Sequence, residues 1–152
     1  MVSACLAGVK CKFNGSHSLI PEIAEMVRRG KAITVCPEIL GGLPTPRPSL
    51  ELQGGNGYDV HKGKARVKTA DGLDVTEEFC KGAEIVLALA RELQPSSIIL
   101  KEVSPSCGSN LIRDGSYTGN RIPGIGVTAA LLKQSGFKVV SSEQFKNENQ
   151  KE

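Results

Sequence analysis

Three short apolar runs in this chain each lead into a turn that carries a cysteine, and this recurrence constrains the fold more than any other feature. Val2–Leu6 is the first, with Cys5 near its end. Ala32–Cys36 is the second. Ile33, Thr34 and Val35 read as a buried strand, and Pro37, which cannot donate a ladder hydrogen bond and biases Cys36 to an extended geometry, stops it. Ser97–Lys101 is the third and runs straight into Val103-Ser104-Pro105-Ser106-Cys107-Gly108. Between the first two, Leu19–Arg29 is helical by pattern: Ile20, Ile23, Ala24 and Val27 share a face. Ser18 is expected as its cap, Pro21 falls in its first turn and Gly30 is its stop. A β-α-β unit with a short connection builds a parallel sheet with right-handed crossovers. The expected fold is therefore α/β, a single-domain Rossmann-like three-layer arrangement with a mainly parallel sheet.

The remaining segments fit around that frame. Tyr58–His61 and Lys64–Lys68, on either side of Lys62-Gly63, read as a small hairpin insertion. Asp74-Val75-Thr76-Glu77 reads as a capping box opening a helix to about Leu93, with Phe79, Ala83, Val86, Leu87 and Ala90 as its apolar stripe and Cys80 in its core. A polar loop follows Asp114-Gly115. A helix is expected over Val127–Gln134 and a last strand over Phe137–Val140, with Ser142 capping a short final helix. Gly124-Ile125-Gly126 lacks the third glycine of a dinucleotide fingerprint, so it is expected to allow close helix packing or, at Gly126, backbone approach to a small ligand. Residues 1–145 form one expected domain and 146–152 a polar tail expected to be disordered.

In an open parallel sheet, ligands bind beyond the carboxyl ends of the strands. Cys5, Cys36 and Cys107 each follow a strand and so fall at one edge, with Cys11 close to Cys5 as a possible extra ligand. Soft thiolates select zinc, copper(I) or an iron–sulfur cluster. No Cys-x-x-Cys pair of the zinc-finger kind occurs, whereas a [4Fe–4S] cluster can be held by distant cysteines, one per iron. Three ligands leave one iron open to substrate. The stiff loop after Cys36, with Pro44, Pro46 and Pro48, places Glu38 for proton transfer and Arg47 as a candidate substrate contact, and Ser104 or Ser106 supplies a hydroxyl. Five cysteines, an odd number, argue against a disulfide framework. A net charge of +3 and no Trp argue against a nucleic-acid groove, and no stretch is apolar enough to span a membrane. The expected setting is cytoplasmic, as a monomer or small homo-oligomer. A non-catalytic metal- or thiol-binding protein, such as a sulfide carrier or redox sensor, remains the alternative.

Ser3–Cys11 (SACLAGVKC), Val35–Pro48 (VCPEILGGLPTPRP), Asp74–Ala83 (DVTEEFCKGA), Leu100–Ser109 (LKEVSPSCGS) and Gly124–Leu132 (GIGVTAALL) together resemble the 2-thiouracil desulfurase family, short and mostly bacterial proteins formerly catalogued as a domain of unknown function. The resemblance implies a [4Fe–4S] enzyme with Cys5, Cys36 and Cys107 as ligands. Its open iron would accept the sulfur of a thiolated pyrimidine, 2-thiouracil giving uracil and sulfide without net redox change. It also implies Glu38 as the catalytic carboxylate and Ser104, with Ser106 in competition, as the assisting hydroxyl. Many relatives carry Arg-Tyr-Asp-Gly where this chain has Lys12-Phe13-Asn14-Gly15, a loop expected to line the pocket.

Overall fold

The structure, a computed structural model, describes residues 1–150. Its elements in chain order are β1 (Val2–Ser3), a 3-10 turn (Ala4–Ala7), α1 (Pro21–Arg28), β2 (Thr34–Val35), α2 (Pro37–Leu40), β3 (Leu50–Gln53), α3 (Gly57–His61) and β4 (Arg66–Thr69). There follow α4 (Thr76–Leu93), β5 (Ile98–Leu100), β6 (Leu111–Arg113), β7 (Arg121–Pro123), α5 (Val127–Gln134), β8 (Val139–Ser141) and α6 (Ser142–Gln150).

The central sheet is parallel throughout, in the order β2-β1-β5-β8. Side-chain alternation along β5 shows both faces covered. Ile98 and Leu100 pack with Val86, Leu87 and Ala90 of α4 and with Ala129, Ala130 and Leu132 of α5. Ile99, pointing the other way, packs with Ile23 of α1 and Phe145 of α6. Period-2 alternation buried on both sides is the signature of a doubly covered parallel sheet, so the architecture is the three-layer α/β fold that the β-α-β pattern implies. Among the described residues no helix is long and apolar enough to cross a membrane.

Several local expectations are corrected. The hairpin is β3 against β4, with Leu50 opposite Thr69 and Gln53 opposite Arg66. Tyr58–His61 is helical because Asn56 Oδ1 accepts the N–H groups of Tyr58 and Asp59 while Asp59 Oδ2 accepts that of Asn56, a reciprocal cap that starts α3. At α4 the capping box does not form. Val75 occupies the cap position, and Asp74 instead makes a turn, accepting from the Thr76 N–H and hydroxyl and pairing with Arg66. Ile20, not Ser18, precedes α1, and Ser141, not Ser142, caps α6 through mutual bonds with Gln144. Helix α6 continues through Lys146–Gln150, where the polar composition suggests a disordered tail; Lys151 and Glu152 lie outside the described residues. The polar loop after Asp114 returns through β7 to pair with β6, exposed along its length and so without an alternating signal.

Candidate active site

The sheet order sets the site. Strands β2, β1 and β5 are neighbours and parallel, so the residues just past their ends are neighbours too: Cys36 after β2, Cys5 after β1, and the Ser104–Cys107 turn after β5. They line one cavity of about 260 Å³ at the carboxyl edge of the sheet, together with Cys11. Ser3 closes the seam beneath them, its Oγ accepting the Lys101 N–H at 3.0 Å. Cys80 lies apart, half-buried against the β3–β4 cluster.

All five thiols are free. The Cys11 thiol faces those of Cys36 and Cys5, and contact with it, followed by burial, pushes Cys36 far above the ordinary thiol range. Burial pushes Cys107 up to about 12, against the pull of the Ser3 and Ser106 hydroxyls. Both shifts favour the neutral thiol at Cys36 and Cys107, whose protons a soft metal must displace to bind. Among the described residues no three His, Cys, Asp or Glu side chains converge on a single-ion site. The sulfur donors lining this one cavity are of the soft kind that suits an iron–sulfur cluster.

Beside the thiols stands a hydrogen-bonded circuit. Pro37 opens α2 as its first residue, so Glu38 projects from the first turn. Arg47 Nε donates to Glu38 Oε1 at 3.0 Å, with both side chains almost wholly buried. Its other nitrogens donate to the carbonyls of Pro44 and Cys11 and to Thr45 Oγ1. On the far side, Ser106 Oγ donates to Glu38 Oε2 at 2.8 Å and lies 3.0 Å from Ser104 Oγ. Since the Ser106 proton goes to Glu38, the Ser104 hydroxyl must be the donor between them, while Ser104 Oγ accepts the N–H groups of Ser106 and Cys107. Ser106 thus touches the carboxylate directly, and Ser104 shapes the turn behind it.

Residues 1–144 match the sequence model of the 2-thiouracil desulfurase family. The chain belongs to that family. It is 50% identical over 145 residues to the uncharacterized protein YbbK of Bacillus subtilis (strain 168), an alignment covering 95% of this chain and 96% of that one. A solved structure, the [4Fe-4S]-dependent thiouracil desulfidase TudS, is 40% identical and superposes with a TM-score of 0.84 over 96% of this chain and 91% of its own.

Not every residue expected at this desulfurase-family site sits where the sequence suggests. Gly126 does not face the cavity as a ligand contact. A Cβ there would stand 2.6 Å from the Ser106 carbonyl carbon, so its role is to let the start of α5 press against the cysteine turn. His17 and His61 serve local structure, His17 Nδ1 accepting the Leu19 N–H and His61 Nε2 bonding the Val127 carbonyl. Three residues that sequence reasoning passed over prove central. Buried Glu102 accepts at Oε1 the N–H groups of Val103, Ser109, Asn110 and Leu111, and at Oε2 the side-chain amide of Asn110. Burial opposes its ionisation, yet these backbone donors hold its pKa below the ordinary value. Arg113 and Arg121, from the unforeseen β6–β7 pair, join Lys12 and Lys101 along the cavity, and none of the four enters an ion pair among the described residues. The cavity lining therefore carries an excess of positive charge.

Proposed function

We propose that this protein hydrolyses thiolated pyrimidines in the cytoplasm, 2-thiouracil and water giving uracil and hydrogen sulfide. The observation that best supports this is the Arg47–Glu38–Ser106 circuit at a cavity walled by thiols, in a fold superposing on TudS at 40% identity. Cys5, Cys36 and Cys107 would hold a [4Fe–4S] cluster, which when bound supplies a sulfur-seeking Lewis acid with one iron free of protein ligands. The chain's own groups do the rest. Glu38 takes the proton of the water that attacks the thiocarbonyl carbon, the usual task of a positioned carboxylate. Ser106, bonded to Glu38 Oε2, is the assisting hydroxyl, with Ser104 as the donor behind it. Arg47, four of whose five N–H donors go to protein partners, fixes Glu38.

Cys11, buried against Cys5 and Cys36, favours one competing reading: a closed four-thiol site in a non-catalytic sulfide carrier or redox sensor. Anaerobic reconstitution separates the two. The desulfurase should carry about four irons and four sulfides per chain in both the parent and Cys11→Ser, and the parent should turn over 2-thiouracil. Glu38→Ala should keep the cluster while turnover falls by ~10²-fold or more, with Ser106→Ala following it more closely than Ser104→Ala. Little iron in the folded parent, or undiminished turnover by Glu38→Ala, refutes the proposal.

A further inference from the structure

Two locally unfavourable arrangements meet at the same cavity. Phe13 lines it yet leaves 38% of its surface exposed, although burying an aromatic ring is among the larger gains available to a folding chain. Its backbone is fixed on both sides: the Phe13 carbonyl accepts the Arg47 N–H at 2.7 Å, and Lys12 closes a tight turn with Gly15 and Ser16. The ring is presented by a pinned loop. Val103 lines the cavity as well, in the left-handed backbone region at φ 68°. That region crowds the Cβ of any L-residue and a β-branched one most, while glycine adopts it freely. What holds Val103 there is Glu102, which accepts the Val103 N–H along with three others of the same loop. Strain kept in place by its surroundings gathers at ligand clamps. Most of the remaining wall is thiol, hydroxyl and charged.

We propose that Phe13 and Val103 form the apolar seat of the pyrimidine ring, Phe13 by stacking on its face and Val103 by filling space against it. The inference rests on the desulfurase reading and adds to it the residues that select a planar heterocycle. Neither side chain belongs to the thiol set or the Glu38 circuit, so their loss should appear in binding and not in the chemical step.

The test uses the cluster-loaded protein under anaerobic conditions, reading kcat and KM for 2-thiouracil and, independently of turnover, Kd for uracil by equilibrium dialysis. Phe13→Ala should raise KM and Kd by roughly tenfold or more, the range for one lost base–aromatic stack, with kcat little changed and Phe13→Tyr restoring both. Val103→Gly should raise KM several-fold while Tm holds or rises, because relief of backbone strain offsets the lost side chain. A lowered Tm with unchanged KM would reduce Val103 to packing and overturn its part. Unchanged KM and Kd in Phe13→Ala, in an enzyme that still desulfurises 2-thiouracil, would overturn the seat and leave the desulfurase reading standing. A parent that loads its cluster and ignores 2-thiouracil would remove both.

Discussion

Gly82→Ala adds one carbon where α2 and α4 cross, and the geometry sets its cost. The new Cβ would stand 1.9 Å from the Pro37 carbonyl oxygen and 2.8 Å from its carbon, both backbone atoms that no rotamer can move aside. Real Cβ contacts below 3.0 Å essentially do not occur, so the two backbones must part by about 1 Å, the gap between 1.9 and 3.0 Å. The crossing is equally tight from the other side, where a Cβ on Gly41 would lie 2.0 Å from the Glu78 carbonyl oxygen. Propensity alone favours the substitution, since Ala in a helix interior is better than Gly by ~1 kcal/mol. Overpacking costs about 1–3 kcal/mol and, against backbone, lies at the upper end, so the net loss should be about 1–2 kcal/mol. For a chain of this length that is a fall in Tm of roughly 2–8 °C. The larger effect is on rate. Pro37 precedes Glu38, the proposed proton acceptor, and an error of ~1 Å in such a group costs on the order of 10²-fold. Thermal melting and turnover of 2-thiouracil, with iron content as a check on loading, read both effects. Lys81→Ala, exposed on the same helix, controls for propensity. A Gly82→Ala protein that melts at or above the parent and turns over at the parental rate refutes the reasoning.

Glu102→Gln should destabilise by about 1–3 kcal/mol at pH 7, the scale of hydrogen bonds to a charged acceptor. Because the folded pKa is depressed, the carboxylate's contribution is present above the unfolded value of about 4.3 and fades as pH falls through the folded one. The Tm gap between parent and variant should therefore shrink below about pH 4, and a gap independent of pH down to acid unfolding argues against this role. Arg47→Met should lower the midpoint of urea unfolding by an amount equivalent to about 3 kcal/mol or more, since it strands a buried carboxylate, and Arg47→Lys should not restore it because an ammonium cannot reproduce the fork. An Arg47→Met midpoint equal to the parent's would show that the ion pair does not hold the site together.

The parallel frame was readable because its signals are local. Pro37 and Pro105 stop or turn the chain next to Cys36 and Cys107, and a parallel sheet then brings distant cysteines to one edge. What could not be read depends on where side chains point after folding. Ser104 and Ser106 sit in the same Ser-Pro-Ser-Cys string, and only the turn geometry sends one hydroxyl to Glu38 and the other to backbone N–H groups. Glu102 next to Lys101 looks like a solvated pair at a strand end, and its four backbone donors come mostly from a loop up to nine residues away. Gly82 looks like a blemish in an apolar stripe until the Pro37 carbonyl arrives from another element. At Tyr58–His61 the hairpin reading built on Lys62-Gly63 lost to the reciprocal cap of Asn56 and Asp59, whose pairing requires the side chains in place.

The same bonds tie the cysteine segments to one another through protein groups. From the Cys11 carbonyl the circuit passes through Arg47 to Glu38, then through Ser106 and Ser104 into the backbone of Cys107, while Ser3 joins the ends of β1 and β5. Every link is a protein group bonded to another protein group. Both Glu38 oxygens are held by protein groups, one by Arg47 and one by Ser106. If Glu38 takes the proton as proposed, a carboxylate held in this way meets a bound thiocarbonyl with little further rearrangement.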